Sequence, residues 1–401
     1  MDLPLTGVKV IAFEQYGAGP FGTQYLADMG AEVIKVEPAG TSGDYLREIG
    51  PYFIDGENRN SASSIFFQAL NRNKRSITLD ILSKEGKIIL QKLVENADAV
   101  CNNLRGDVPE KLGITYEQLK PFNKAIVSAH CSAYGREGPR KNWPGYDYLM
   151  QAEAGYFSLT GEPSGPPARF GLSIVDYMSG LTMSFGLVSA VLSARATGLG
   201  RDVDVNLFDT AMFNQSYMAA WTLNSDFKSE RLNRSAHPIL VPCQLYKTKD
   251  GWIYLMCNKE SFWAVLCKNI DRVELIDDPR FINFKTRQEN RDIVTEILDD
   301  ELMKKTTAEW LEKFGGIVPA APILDLKEAL DNPFLKGRNN IQKLKTKRGV
   351  NISLLKTPVH IKNSNFENQT APELGNDTNS VLEEAGFTIG QINKFKSDGI
   401  I

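Results

Sequence analysis

Residues 8–37 constrain the fold more than any other stretch. Val8 to Phe13 is a short apolar run that leads straight into Glu14-Gln15-Tyr16-Gly17-Ala18-Gly19-Pro20-Phe21-Gly22. A helical stretch, Thr23 to Met29, follows, then a stop at Gly30 and a second apolar run, Ala31 to Val36, ending at Glu37. Strand, glycine turn, helix and strand make a βαβ unit, so the chain is predicted to be α/β. The turn spells G-x-G-x-x-G, in which glycines let a pyrophosphate approach a helix N-terminus. Two details count against a nicotinamide dinucleotide. Glu37 comes early for a ribose ligand, which usually stands about 20 residues on. Pro20 also removes one N–H that would face the phosphate, although proline suits a helix start. A plain α/β turn and an NAD-linked oxidoreductase both stay open on this motif.

The same alternation continues. Leu70-Asn71-Arg72-Asn73-Lys74-Arg75-Ser76 places cations and amides just before a strand at Ile77–Leu79. It reads either as a solvated turn or as a clamp for phosphate or carboxylate, whose oxygens match arginine forks. Ser83 to Asn96 is an amphipathic helix, and Ala97 to Cys101 is a strand delivering Asn102-Asn103-Leu104-Arg105-Gly106. Ligands of open α/β sheets sit at such C-terminal strand ends. Ala125 to His130 is a further strand. In Trp143-Pro144-Gly145-Tyr146-Asp147-Tyr148, Asp147 reads as a helix cap or as a site carboxylate.

Arg169 to Asp209 is the most unusual stretch. Asp176 is followed by an almost uncharged run, Met178 to Ala194, rich in Gly, Ala and Ser, which ends at Arg195 and is broken by Gly198 and Gly200. This is predicted to be a buried helix with Asp176 at its N-terminal end. The run is too short for a membrane span, which needs about 20 apolar residues. A carboxylate there is either a cap or a functional group.

A 401-residue chain calls for two domains. The net charge of −3, with mixed signs, argues against a general nucleic-acid binder. Five cysteines with no CxxC spacing suit a reducing cytoplasm, and three scattered histidines support neither a His-based metal site nor a Ser-His-Asp triad. The start lacks the pattern of a signal peptide. Composition shifts near residue 225. The Lys249-Asp250-Gly251 turn between Gln244–Lys249 and Trp252–Cys257 reads as a hairpin, and helices follow at Glu260–Ile270, Arg287–Met303 and Thr307–Phe314. The expected organisation is 1–225 as a large domain, 226–325 as a smaller α+β domain, and 326–401 as a segment returning to the first.

With these residues on the page, the chain resembles the class III CoA-transferase family, the group containing formyl-CoA transferase and carnitine CoA-transferase. The likeness runs nearly end to end. It is carried by Ala18-Gly19-Pro20, Leu26-Ala27-Asp28-Met29-Gly30-Ala31-Glu32-Val33, Asn73-Lys74-Arg75-Ser76, Pro144-Gly145-Tyr146-Asp147, Gln151-Ala152, Asp176 with Gly180, Arg195-Ala196-Thr197-Gly198, Pro279-Arg280-Phe281 and Ala371-Pro372-Glu373-Leu374-Gly375. The resemblance implies a Rossmann-like large domain that holds coenzyme A as substrate, no permanently bound cofactor or metal, and an interlocked homodimer. It implies Asp176 as nucleophile on an acyl-CoA, with Asp147 as a second carboxylate beside Tyr146. It places coenzyme A contacts on Asn71, Arg72, Asn73, Lys74 and Arg75, on Asn103 and Arg105, and on Lys111.

The departures are informative. Gly17 stands where formyl-CoA transferase has Gln, and Pro38 where it has Arg; its glycine-rich flap has no match around Arg234 to Gln244. Formyl/oxalate specificity is therefore not expected. The related α-methylacyl-CoA racemase reaction needs a His as second acid/base where this chain has Tyr146, and an unperturbed Tyr titrates at about 10. A CoA-binding relative without catalysis is disfavoured by the presence of Asp176. Arg47, Arg72 and Arg169 are candidates to hold a second carboxylate, which would suit succinyl-CoA or another small dicarboxylic acyl-CoA.

Overall fold

The computed structural model describes residues 2–54, 64–362 and 366–401. Strands β1 (Lys9–Phe13), β2 (Glu32–Glu37), β3 (Arg75–Thr78), β4 (Ala99–Asn102), β5 (Val127–Ser132) and β6 (Arg201–Asn206) form one sheet. Their order is β3-β2-β1-β4-β5-β6 and every pair is parallel. The chain winds outward from β1 in one direction, then returns and winds the other way from β4. The C-terminal ends of β1 and β4 therefore diverge at a switch point, where open parallel sheets leave a crevice. The central strands are buried on both faces, as continuous apolar runs such as Val10-Ile11-Ala12 require.

Two helices complete the crevice. The first, Ala18–Asp28, opens where β1 ends. The second, Ile174–Thr197, is 24 residues long and closes on Gly198 in a left-handed cap. They touch through glycines. A Cβ on Gly22 would stand 2.3 Å from the Gly180 carbonyl oxygen, and one on Gly180 would stand 2.2 Å from that of Ala18. The third glycine of the fingerprint thus serves helix packing.

The long helix corrects the sequence reading in two respects. By length and composition it suffices to cross a membrane, but half of its most apolar window is buried within the protein. It is also not buried all round. Val175, Asp176, Gly180, Met183, Leu187 and Val191 face inward, while Phe185 is 77% and Leu192 73% exposed.

The chain divides into two compact units, residues 1–154, 170–225 and 336–401, and residues 155–169 with 226–335. The first holds the parallel sheet; Val381, Leu382 and Ile392 of its last segment join the core of Ile11, Ile77, Ile89 and Val100. That segment ends in a helix, Ile389–Ser397, which the sequence reading did not foresee. Two helices follow β6, Leu207–Asn214 and Ser216–Asn224, broken at Ser216 with φ 47°. The second unit is built on antiparallel β7 (Cys243–Thr248), β8 (Gly251–Met256) and β9 (Ala320–Pro322). Tyr246, Trp263, Phe281 and Trp310 fill its core.

Candidate active site

A cavity of about 730 Å³ opens at the switch point, lined by the chain following β1, β4 and β5 and by the starts of the helices at Asp147–Glu153 and Ile174–Thr197. Asp176, in the first turn of the long helix, is 7% exposed, and Asp147, the first residue of its own helix, is 4% exposed. The two are linked: Asp147 Oδ2 accepts the Asp176 backbone N–H at 2.9 Å. The long helix is therefore capped by a carboxylate from another element, not by Asp176 itself. Among the described residues no donor meets the Asp176 side-chain oxygens. Burial, and after it the negative Asp147, raises its pKa from the usual carboxylate range to about 7.

Gln151 holds the pair in register and is fully buried. Its Nε2 donates to Asp147 Oδ1 at 2.5 Å and to the Leu172 carbonyl at 3.0 Å. Its Oε1 accepts the Phe170 N–H at 2.9 Å. One amide thus ties Asp147 to the strand-like approach that delivers Asp176. Gln151 was visible in the sequence only as part of a matching motif.

Beside Asp176 in the cavity wall, the chain after β1 turns through Gln15, Tyr16 and Gly17. Gly17 needs to be glycine, since a Cβ there would fall 2.2 Å from Asp176 Oδ2. Tyr16 has φ 61°, a left-handed conformation that a bulky residue seldom adopts and that costs on the order of 1 kcal/mol. It is held there from below. Its N–H donates to Asp44 Oδ1 at 3.1 Å, and Asp44 Oδ2 pairs with fully buried Lys35 at 2.8 Å. Burial works against the Lys35 charge, but Asp44, Glu14 and Glu37 outweigh it and raise its pKa. On the other side Asn103 clamps Gln15, accepting its N–H at 2.9 Å and donating to its carbonyl at 2.7 Å.

The remaining sequence-predicted residues separate into two groups. Tyr146, Asn103 and Arg105 line the cavity. Arg105 pairs with Asp107, and Lys111 reaches the same carboxylate at 2.5 Å. The Asn71–Arg75 turn does not line it, and its side chains serve internal partners. Lys74, buried, bonds Glu14 at 2.7 Å, the Pro20 carbonyl and Asn71 Oδ1; burial lowers its pKa to about 8. Asn71 Nδ2 donates to the Phe67 carbonyl. Arg72 grips Asp28 at 2.5 and 3.1 Å, and Asn73 joins Asp28 to Asn368. Arg75 pairs with Glu32 and Glu384. Arg47 is similarly committed, forked onto Glu37 at 2.6 and 2.7 Å. Arg169 belongs to the smaller unit. Cys131, fully buried on the cavity floor, is pushed well above the ordinary thiol range by burial and stays a thiol at neutral pH. No cluster of three or more metal-ligating side chains exists among the described residues.

A crevice at a sheet's switch point, with one carboxylate kept basic by burial beside a second that is hydrogen-bonded, is the kind of site that suits group transfer or acid–base chemistry. Comparison with known proteins makes the class specific. A family-wide profile described as CoA-transferase family III matches residues 5–378. The acetyl-CoA:oxalate CoA-transferase of Acetobacter aceti is 35% identical over 345 residues, 85% of this chain and 86% of that one. The succinate–glutarate CoA-transferase of Agrobacterium fabrum is 32% identical over 389 residues, 95% of each. A crystal structure of a CAIB/BAIF family protein from Brucella suis superposes with a TM-score of 0.81 at 31% identity, covering 96% of this chain and all of that one. The chain belongs to CoA-transferase family III and is an enzyme of that class.

Proposed function

We propose that Asp176 is the covalent nucleophile of a CoA exchange between an acyl-CoA and a free carboxylic acid. The observation that carries this reading is the Asp176 carboxylate itself: in the cavity, 7% exposed, with a pKa raised to about 7. A more basic carboxylate is a better nucleophile, and near neutral pH a substantial fraction is ionised. Its oxygen attacks the thioester carbonyl. Collapse of the tetrahedral adduct breaks the C–S bond and gives an aspartyl–acyl anhydride and CoA thiolate. The thiolate attacks the aspartyl carbonyl, releasing the first acid and leaving an aspartyl-CoA thioester. The incoming carboxylate attacks that thioester, and the freed thiolate takes the new acyl group from the resulting anhydride, restoring Asp176. Each intermediate is about as reactive as a thioester, so the exchange proceeds without a deep energy well.

The surrounding residues support this sequence. Asp147 and Gln151 orient the nucleophile through its backbone. Gly17 leaves the space that the Asp176 carboxylate occupies. Asn103, Arg105 and Tyr146, with Lys111, which shares Asp107 with Arg105, are the coenzyme A contacts this reading favours. The Asn71–Arg75 turn supports the site through the framework beneath it. For the substrate, we take a small dicarboxylic acyl-CoA such as succinyl-CoA, because the named relatives act on oxalate, succinate and glutarate. A homodimer fits the exposed Leu181, Phe185 and Leu192 along one side of the long helix and the 85% exposed Phe213. A cytoplasmic setting fits five cysteines that are all free. The test is turnover by Asp176→Ala: loss of exchange with an intact fold supports the reading, and retained exchange refutes it.

A further inference from the structure

Tyr16, left-handed and in the wall of the cavity, belongs to the turn that meets the Asp176 carboxylate. We propose that Tyr16 is a catalytic residue whose hydroxyl donates a hydrogen bond to the thioester oxygen as Asp176 attacks. This rests on Asp176 being the nucleophile. The geometry carries it in three ways. First, Tyr16 is bulky and yet left-handed, a conformation found where a structure over-determines it for a purpose. Second, both its backbone and its ring are tied. Asp44 accepts its N–H, buried Lys35 pairs with Asp44, Asn103 brackets the preceding peptide, and Phe66 meets the ring edge-on at 5.9 Å. Third, the next residue, Gly17, offers no side chain of its own, so the Asp176 carboxylate comes right up to this turn.

The phenol's surroundings suit donation. Burial, then Tyr148, Asp176, Tyr45 and Asp147, raises its pKa above the ordinary value. It therefore remains protonated throughout the working range and gives a hydrogen bond without giving up its proton. In the step itself an Asp176 lone pair forms the new C–O bond, and the carbonyl π electrons move onto the oxygen facing Tyr16. They return when the C–S bond breaks and the thiolate leaves. A preformed donor aimed at that transient charge stabilises the transition state more than the ground state.

The experiment is the rate at which succinyl-CoA and, separately, acetyl-CoA acylate Asp176 in single turnover, for the parent, Tyr16→Phe and Tyr16→Asn. Phenylalanine removes only the hydroxyl; asparagine suits the left-handed backbone and removes the phenol. Both variants are expected to slow acylation by about tenfold to a hundredfold. Half-saturating acyl-CoA should stay within about threefold, and the thermal midpoint should not fall in Tyr16→Asn. A Tyr16→Phe rate within about twofold of the parent overturns the proposal, as does a Tyr16→Asn protein that keeps the parent rate. Asp176→Ala, run alongside, separates the two claims. If it is silent while Tyr16→Phe is normal, only the tyrosine assignment falls; if it still reacts, the nucleophile assignment falls first.

Discussion

Replacing Asp176 by Asn should make the protein more stable while destroying its activity, and the gain should depend on pH in a defined way. The folded-state pKa of about 7 stands above the value of 3.8 expected when the chain is unfolded. Between those values the unfolded chain releases a proton that the folded chain keeps, so stability falls as pH rises through the window. Above pH 7 the full difference of about three pH units applies, which at 1.36 kcal/mol each is a cost of about 4 kcal/mol. At pH 5 about 1.6 kcal/mol has accrued, at pH 4 about 0.6, and at pH 3 almost none. Asn is nearly isosteric and carries no charge, so it removes this cost. Thermal midpoints of parent and variant, followed by circular dichroism from about pH 3 to about pH 8, should coincide at the acid end and separate progressively toward the alkaline end. Exchange activity should drop at least about 10⁴-fold at every pH. Parallel curves, or a variant less stable at pH 8, would refute the claim that Asp176 is held basic by burial and by Asp147.

Gly17→Ala should cut turnover by about 100-fold, the scale of a misplacement near 1 Å, with little effect on the melt. Its φ of −93° tolerates a side chain, so the cost is the displaced Asp176 carboxylate. Gln151→Leu removes the amide that joins Asp147 Oδ1 to the Leu172 carbonyl and the Phe170 N–H. The nucleophile should lose its register, and kcat/KM should fall by about tenfold to a hundredfold. A variant that keeps the parent rate would show that Gln151 only packs. Gly180→Ala should destabilise the protein by about 1–3 kcal/mol, because the new methyl meets the Ala18 carbonyl; urea unfolding measures it.

The α/β alternation, the helix boundaries around Asp176 and the Lys249–Gly251 hairpin were legible because their signals are local: apolar periodicity, glycine stops and turn residues. The fate of the cations was not. Arg72 and Lys74 read as part of a solvated turn or of a clamp because the sequence gives no sign that Asp28, 44 residues away, and Glu14, 60 residues away, fold onto them. Tyr16 was equally hidden. Nothing in Glu14-Gln15-Tyr16-Gly17 reports a left-handed tyrosine, since the conformation is imposed by Asp44 and by Lys35 from β2. The G-x-G-x-x-G spacing reads as room for a pyrophosphate or as a plain α/β turn. In the structure the Asp176 carboxylate stands against Gly17 and the long helix against Gly22.

The central claim is a covalent bond to one carboxylate, and mass spectrometry tests it most directly. The protein is incubated with succinyl-CoA, acetyl-CoA and further acyl-CoAs in turn, quenched with hydroxylamine or borohydride, and weighed intact and as peptides. A mass change confined to the peptide carrying Asp176, absent in Asp176→Ala, is the expected result. An enzyme that exchanges CoA with no adduct at Asp176, or with one on another residue, would contradict the account.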